Sequence, residues 1–271
     1  MKYCTLSLQS LRRVFHEGFT AQDIAEPLLS RDGEADAESV RRFMEQRHLQ
    51  VIGIRQDGEI AGFAERESLT NRNCSAALQP FQPDQLILGS TPLTDVVQGL
   101  RDHSSLFVQF MGKVGGIITR TDLQKPPMRM WLFGMVTLIE MRMTRLIKEH
   151  ASVDWHTQIT PERLLKAEEL LRERQRIQQN LDLLDCLQFG DKCRIIARDL
   201  KLRERTRFSS KRQIDEAAKR LERLRNHLAH SQDIISGDWE TVVELSEQLD
   251  RLIEERPERI PVDEASPDHR A

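Results

Sequence analysis

The apolar positions of this chain change rhythm near residue 125. Before it they fall in short runs broken by turns that contain Gly. From about residue 128 they return every three or four positions, and no strand pattern is seen. The first half therefore reads as short strands mixed with helices, and the second as helices alone.

One unit occurs twice in the first half, after a short helix over 8–19. The first copy has a helix at 37–46, a strand at 49–54, the turn Gln56-Asp57-Gly58-Glu59, a strand at 60–64 and a helix opening at Glu65-Arg66-Glu67-Ser68-Leu69. The second has a strand at 86–88, a helix at 92–101 and a strand at 106–110. The turn Met111-Gly112-Lys113, a strand at 114–119 and a helix opening at Arg120 complete it. Gly58-Glu59-Ile60-Ala61-Gly62-Phe63 lies over Gly112-Lys113-Val114-Gly115-Gly116-Ile117. Repetition at this scale implies two copies of one unit packed on each other.

Pro126-Pro127 separates the halves. Five helices are then expected: 128–149; 161–187, capped by Thr160 and ended at Gly190; 192–202, capped by Asp191; 211–230, capped by Ser209-Ser210; and 239–255, capped by Asp238. Short loops between such helices suit a bundle. Residues 256–271 hold three prolines and mostly polar residues and read as a disordered tail.

Composition narrows the function classes. The 271 residues leave room for two domains, and a net charge of −3 with pI near 6.3 argues against strong non-specific nucleic-acid binding. Aromatics are only 5%, so no stacking platform for bases is legible. Cys4, Cys74, Cys186 and Cys193 form no Cys-x-x-Cys pair and no zinc-like spacing, which suggests reduced thiols in a cytoplasmic chain. Arg12 and Arg13 are not followed by an apolar run, so no secretory leader is expected. Glu140, Arg142 and Arg145 break the most apolar segment, 131–147, so no membrane span is expected. Walker-type and Gly-x-Gly-x-x-Gly patterns are absent, which leaves no case for an NTPase or a Rossmann domain.

Residues 201–230 hold ten Lys and Arg against four Asp and Glu, the local charge a polyanion partner requires. A solvated helix face with i, i+4 pairs such as Asp215–Lys219 has the same composition. Within the segment, Arg225 falls in the apolar stripe of Ile214, Ala217, Ala218, Leu221, Leu224 and Leu228, while Asn226 and His230 share another face. On a straight helix Arg225 and His230 diverge by about 140°. A cation in an apolar stripe fits two readings. Arg225 pairs with a carboxylate of a neighbouring helix and His230 stands at the helix end, or the residues form a site where the helix ends or two copies meet. His227 faces elsewhere and reads as a bystander.

Arg225-Asn226-x-x-x-His230 resembles the Arg-x4-His signature of the HEPN superfamily, small all-α domains that include metal-independent ribonucleases acting as dimers. The resemblance covers about 130–255 and implies a homodimer with a composite cleft and RNA as partner. Arg225 would hold the phosphate, His230 would transfer protons, and Asn226 would orient one or the other. No cofactor is then required for catalysis. Gly116-Ile117-Ile118-Thr119-Arg120-Thr121-Asp122-Leu123 resembles the end of a CBS domain, a regulatory module found in tandem pairs, here over 20–125. That resemblance implies an adenosine nucleotide (AMP, ADP, ATP or S-adenosylmethionine) held by Thr119, Arg120 and Asp122. The hydroxyl would meet phosphate or ribose, and the carboxylate would accept from the ribose diol. Thr119 as a strand end with Asp122 as a helix cap is the alternative. At the matching positions of the first copy stand Glu65 and Ser68, and a carboxylate would repel phosphate there.

The sequence thus reads as an α+β half of tandem CBS-like β-α-β-β-α repeats (20–125), a linker helix (126–150), a HEPN-like all-α bundle (151–255) and a tail (256–271). The expected function is a nucleotide-regulated, metal-independent endoribonuclease, with the linker helix as relay. A non-catalytic sensor whose helical part binds protein or RNA is the alternative.

Overall fold

The computed structural model describes residues 8–151, 154–206, 208, 210–230 and 232–253. The expected tail at 256–271 lies outside them. Helix α1 (Leu8–Glu17) is followed by strands β1 (Glu26–Pro27) and β2 (Ser30–Asp32), helix α2 (Ala37–Gln46), and strands β3 (Val51–Gln56) and β4 (Glu59–Glu65). The second copy contributes β5 (Leu86–Leu88), α3 (Leu93–Asp102), β6 (Ser105–Phe110) and β7 (Lys113–Thr119).

The two copies share the same turns, register shifts and strand pairings. Each hairpin turns through two residues at positive φ, Asp57-Gly58 and Met111-Gly112. Gly supplies the second of these at no steric cost. Each hairpin also shifts register at the same place, Ile54/Arg55 and Val108/Gln109. In both copies the short first strand joins the hairpin in parallel, β2 beside β3 and β5 beside β6. The expected helices after β4 and β7 are only 3₁₀ turns, Arg66–Ser68 and Arg120–Gln124. Helix α2 matches its expected span, and the Asp36 side chain accepts from Ser39 N at 2.9 Å to cap it.

The copies exchange their leading segments. Glu26 of β1 pairs with Ile117 of β7, and reciprocally Gln79 pairs with Phe63 of β4. Thr20 bridges Pro92 at the start of the second copy's helix, and Asn73 bridges Asp36 at the start of the first copy's. Leu28, Phe63 and Phe107 fill the space between the sheets, with Phe63 and Phe107 ring centroids 4.7 Å apart.

Helix α4 (Pro126–His150) begins at the two prolines themselves, since Pro fits the first helical positions, where no N–H bond is lost. It is followed by α5 (Pro161–Arg176), α6 (Phe189–Arg198), α7 (Leu200–Glu204), α8 (Lys211–Ala229) and α9 (Ile235–Ile253). Three expected helices are revised. The helix at 161–187 stops at Arg176, Gln178 adopts positive φ, and the Asp182 side chain accepts from Asp185 N to start a separate 3₁₀ turn. The helix at 192–202 is two helices. Gln188 rather than Asp191 caps the first, and Asp199 ends it by accepting from Lys201 N at 2.9 Å. Gly190, expected past a helix end, lies inside α6, where a Cβ would meet Glu222 Oε1 at 2.5 Å. Finally, α9 starts four residues before Trp239, because Asp233 accepts from Ile235 N and so takes the capping role expected of Asp238.

One apolar core runs from Ile24, Leu93, Leu100 and Ile118 of the α/β half through Trp131, Leu132 and Met135 of α4 to Ile195 and Leu224 of the helical half. The expected boundary at 125/126 therefore crosses a continuous interior. Among the described residues, no helix is long and apolar enough to cross a membrane.

Candidate functional site

Strand β7 delivers Thr119 to the start of the Arg120–Gln124 turn. There Asp122 folds back, and its Oδ2 accepts from Thr119 N at 2.7 Å and from Thr119 Oγ1 at 3.0 Å. The other carboxylate oxygen receives Lys125 Nζ at 2.8 Å. That ammonium also meets Glu26 at 2.5 Å and the Ile24 carbonyl at 2.6 Å. Burial alone would lower the Lys125 pKa, but the hydrogen bonds from Asp122 and Glu26 override it and hold the pKa above its usual value. Thr119 and Asp122 thus form a cap, and the cap stands beside the strand that crosses over from the first copy. Thr20 and Asp23 repeat this geometry at 2.7 and 3.1 Å. The Thr-x-x-Asp spacing occurs in both places, so the second box was legible in the sequence. At Glu65 the motif is replaced, and the Ser68 hydroxyl donates to the Glu65 carbonyl instead.

Arg120 points away from this cap. Its guanidinium donates to the Leu100 and Arg101 carbonyls at the end of α3, at 3.1 and 3.3 Å, and lies 4.8 Å over the Trp239 ring of α9. At the far end of the same turn Gln124 donates to Asp233, the residue that caps α9. Arg129 of α4 donates to the His227, Leu228 and Gln232 carbonyls, at 2.8, 3.2 and 3.0 Å, and so closes the C-terminal end of α8. None of these contacts is visible in the sequence, since the partners lie about 20 to 120 residues apart.

The α8–α9 corner holds the other candidate residues. Arg225 is half-buried at the edge of the apolar stripe, and it has no hydrogen-bond or ion-pair partner among the described residues. The neighbouring helix does offer a carboxylate, but to Arg223: Arg223 Nε donates to Asp238 at 2.7 Å, and the Asp238 side chain is fully buried. The second Asp238 oxygen lies 2.5 Å from His227 Nδ1, which gives the expected bystander a fixed orientation. His230 is exposed at the C-cap, where its backbone N–H donates to the Asn226 carbonyl at 3.0 Å. Asn226 is exposed as well. Within one chain Arg225 and His230 are not brought to a common point: one borders the core stripe, while the other stands in solvent past the helix end.

No family model and no curated protein sequence matches the chain. It is similar to solved structures of CBS-domain proteins over roughly its N-terminal two fifths. CBSX2 from Arabidopsis thaliana in complex with AMP is 17% identical with a TM-score of 0.35, over 39% of this chain and 93% of that one. The CBS domain of a bacterial CNNM/CorC family Mg2+ transporter in complex with ATP is 14% identical with a TM-score of 0.34, over 43% and 91%. An uncharacterized conserved protein from Pyrococcus horikoshii is 16% identical with a TM-score of 0.36, over 40% and 90%.

Proposed function

We propose that this chain is a nucleotide-responsive regulatory protein. Its paired α/β units take an adenosine nucleotide beside Thr119 and Asp122, and the occupied state is passed to the α8–α9 corner. The observation that carries this reading is the double attachment of the Arg120–Gln124 turn. One side of the turn holds the Thr119–Asp122 cap. The other holds Trp239 through Arg120 and Asp233 through Gln124. A ligand that takes hydrogen bonds from the cap must alter the turn, and the turn is tied to α9 at both of these contacts. The path is therefore shorter than the linker-helix relay expected from the sequence. It requires that the ligand bind the two arrangements of the turn unequally.

The test is calorimetry on the full chain with AMP, ADP, ATP and S-adenosylmethionine in turn. One of the four is expected to bind, and Thr119→Val is expected to weaken it by about 10-fold, the worth of one hydrogen bond to a charged group. Arg120→Ala is expected to leave binding in place but abolish the ligand's effect on hydrogen exchange in α9. Absence of binding by all four overturns the reading.

A second reading is favoured by the half-buried, partnerless Arg225. A second copy would bring its His230 opposite this arginine, making a metal-independent phosphodiester cleft of the HEPN type in a homodimer. The exposed apolar row Met130, Phe133 and Met141 on α4 supplies a face for such a pair. RNA cleavage lost in both Arg225→Ala and His230→Ala, with the dimer intact by sedimentation, supports it. A parent protein that cuts no RNA in any nucleotide state removes it.

A further inference from the structure

A cavity lies between α5, α6 and α8, away from the Thr119–Asp122 cap. It encloses about 340 Å³, and five cationic side chains line it: Arg163, Arg194, Arg198, Lys211 and Lys219. Only two carboxylates, Asp215 and Glu222, share the lining. Arg163 donates to the buried Asp191 at 3.0 Å, and Arg198 donates to the Gln158 carbonyl at 3.0 Å. Arg194, Lys211 and Lys219 have no hydrogen-bond or ion-pair partner among the described residues. Like charges gathered in a concavity repel one another. Such a cluster is unfavourable when empty and is relieved by an anion.

Backbone polarity adds to the side chains. Arg163 lies in the first turn of α5, Gly190 is the second residue of α6 and Lys211 is the first residue of α8. The N-terminal turns of three helices therefore border the cavity, each carrying partial positive charge. Glu162 and Asp191 offset that charge in the first turns of α5 and α6, whereas the first turn of α8 contains no acidic residue.

No aromatic ring lines the cavity, so nothing there grips a base. The floor is also chemically quiet. Burial pushes the Cys193 thiol far up, and the nearby carboxylates of Glu222, Glu140 and Asp215 push it the same way, so no thiolate nucleophile is present. The lining suits recognition of charge without bond breaking.

We propose that this cavity is a binding site for a small anion carrying two or more linked phosphates, read through its phosphate chain. Arg194, Lys211 and Lys219 supply the free cations, and Arg163 and Arg198 hold the walls. The volume lies within the usual range for small-ligand sites, so a compact oligophosphate is the occupant rather than a nucleic-acid strand.

The experiment is calorimetry on the full chain with sodium tripolyphosphate, at low and at raised salt. ATP is run in a second arm on the Thr119→Val background. Binding at one site per chain is expected, weakening as salt rises. Arg194→Glu and the double variant Lys211→Gln/Lys219→Gln are each expected to weaken it at least about 10-fold, the scale of a lost charge-assisted contact. Thr119→Val is expected to leave tripolyphosphate binding unchanged, which separates this site from the nucleotide reading above. Displacement of bound tripolyphosphate by ATP at similar concentration supports recognition of the phosphate chain, whereas a marked preference for ATP that is lost in Arg194→Glu overturns it. Lys211 and Lys219 are exposed, so their replacement leaves the fold intact, and the free variant is expected to melt no lower than the parent. Three further results overturn the proposal: no binding at millimolar tripolyphosphate, binding insensitive to both sets of variants, or displacement of tripolyphosphate by a far tighter single-stranded RNA.

Discussion

A buried carboxylate is costly without partners, and Asp238 has two, Arg223 and His227. The arrangement is asymmetric, because the acid is sealed while both partners reach water: Arg223 is 51% exposed and His227 27%. Replacing Asp238 with Ala frees two groups that water can still solvate and is expected to cost about 1–2 kcal/mol. The double variant Arg223→Met/His227→Leu strands the sealed charge and is expected to cost about 3–5 kcal/mol. Urea denaturation measures both, and equal losses would refute the asymmetry. The sequence presents Asp238 as a plausible helix cap because it precedes Trp239 and an apolar run. Its true role depends on residues 15 and 11 positions earlier on another helix, which no local pattern reveals. Arg225 shows the opposite case. Its place at the edge of an apolar stripe was legible from helical spacing, but which arginine would receive the acid was not.

At the level of elements, helices with a full apolar stripe and a clear cap were legible: α2 has its expected bounds, and α4 and α8 fall within two residues of theirs. Strands β1 and β2 were not, because two or three residues show no alternation and owe their form to distant partners, Ile117 for Glu26 and Gly53 for Ser30. The expected single helix at 161–187 ends early, just before Gln178, which adopts positive φ, and Asp182 then starts a separate turn by accepting from Asp185 N. That same aspartate ties its turn to α4, since Lys148 reaches Asp182 at 2.6 Å and Asp185 at 3.1 Å. Burial alone would raise the Asp182 pKa, but the Lys148 hydrogen bond and charge override it and hold the carboxyl below 3.8. The bridge therefore stabilises the fold above that value, and its contribution fades as pH falls through the lowered pKa. Lys148→Met is expected to lose about 0.5–1 kcal/mol at pH 7, the scale of a half-exposed pair. The gap to the parent should close in acid below 3.8. Thermal melts across pH check this, and a gap that persists undiminished in acid would assign the loss to packing.

For the whole molecule, the two-part organisation was legible in the change of apolar period near residue 125, but the shared interior was not. Period reports which face of an element is apolar and does not name what covers it. Leu93, Leu100, Ile118 and Leu123 are covered in part by Trp131, Leu132 and Met135. Each large side chain so buried contributes about 1.5–3 kcal/mol. A chain ended at residue 125 is therefore expected to lose cooperative unfolding and bind a hydrophobic dye, although every strand is present. A sharp denaturation transition for that fragment would show that the α/β units stand alone.

The reciprocal exchange of leading segments also sets the order in which this molecule is made. Strand β1 is synthesised early, but its hydrogen-bonding partner is Ile117, and Thr20 waits for Pro92. During translation β1 leaves the ribosome without its partner, and it stays unpaired until almost the whole second unit has followed. A pause in synthesis between those points would hold that strand unpaired, where a chaperone or a neighbouring nascent chain meets it first.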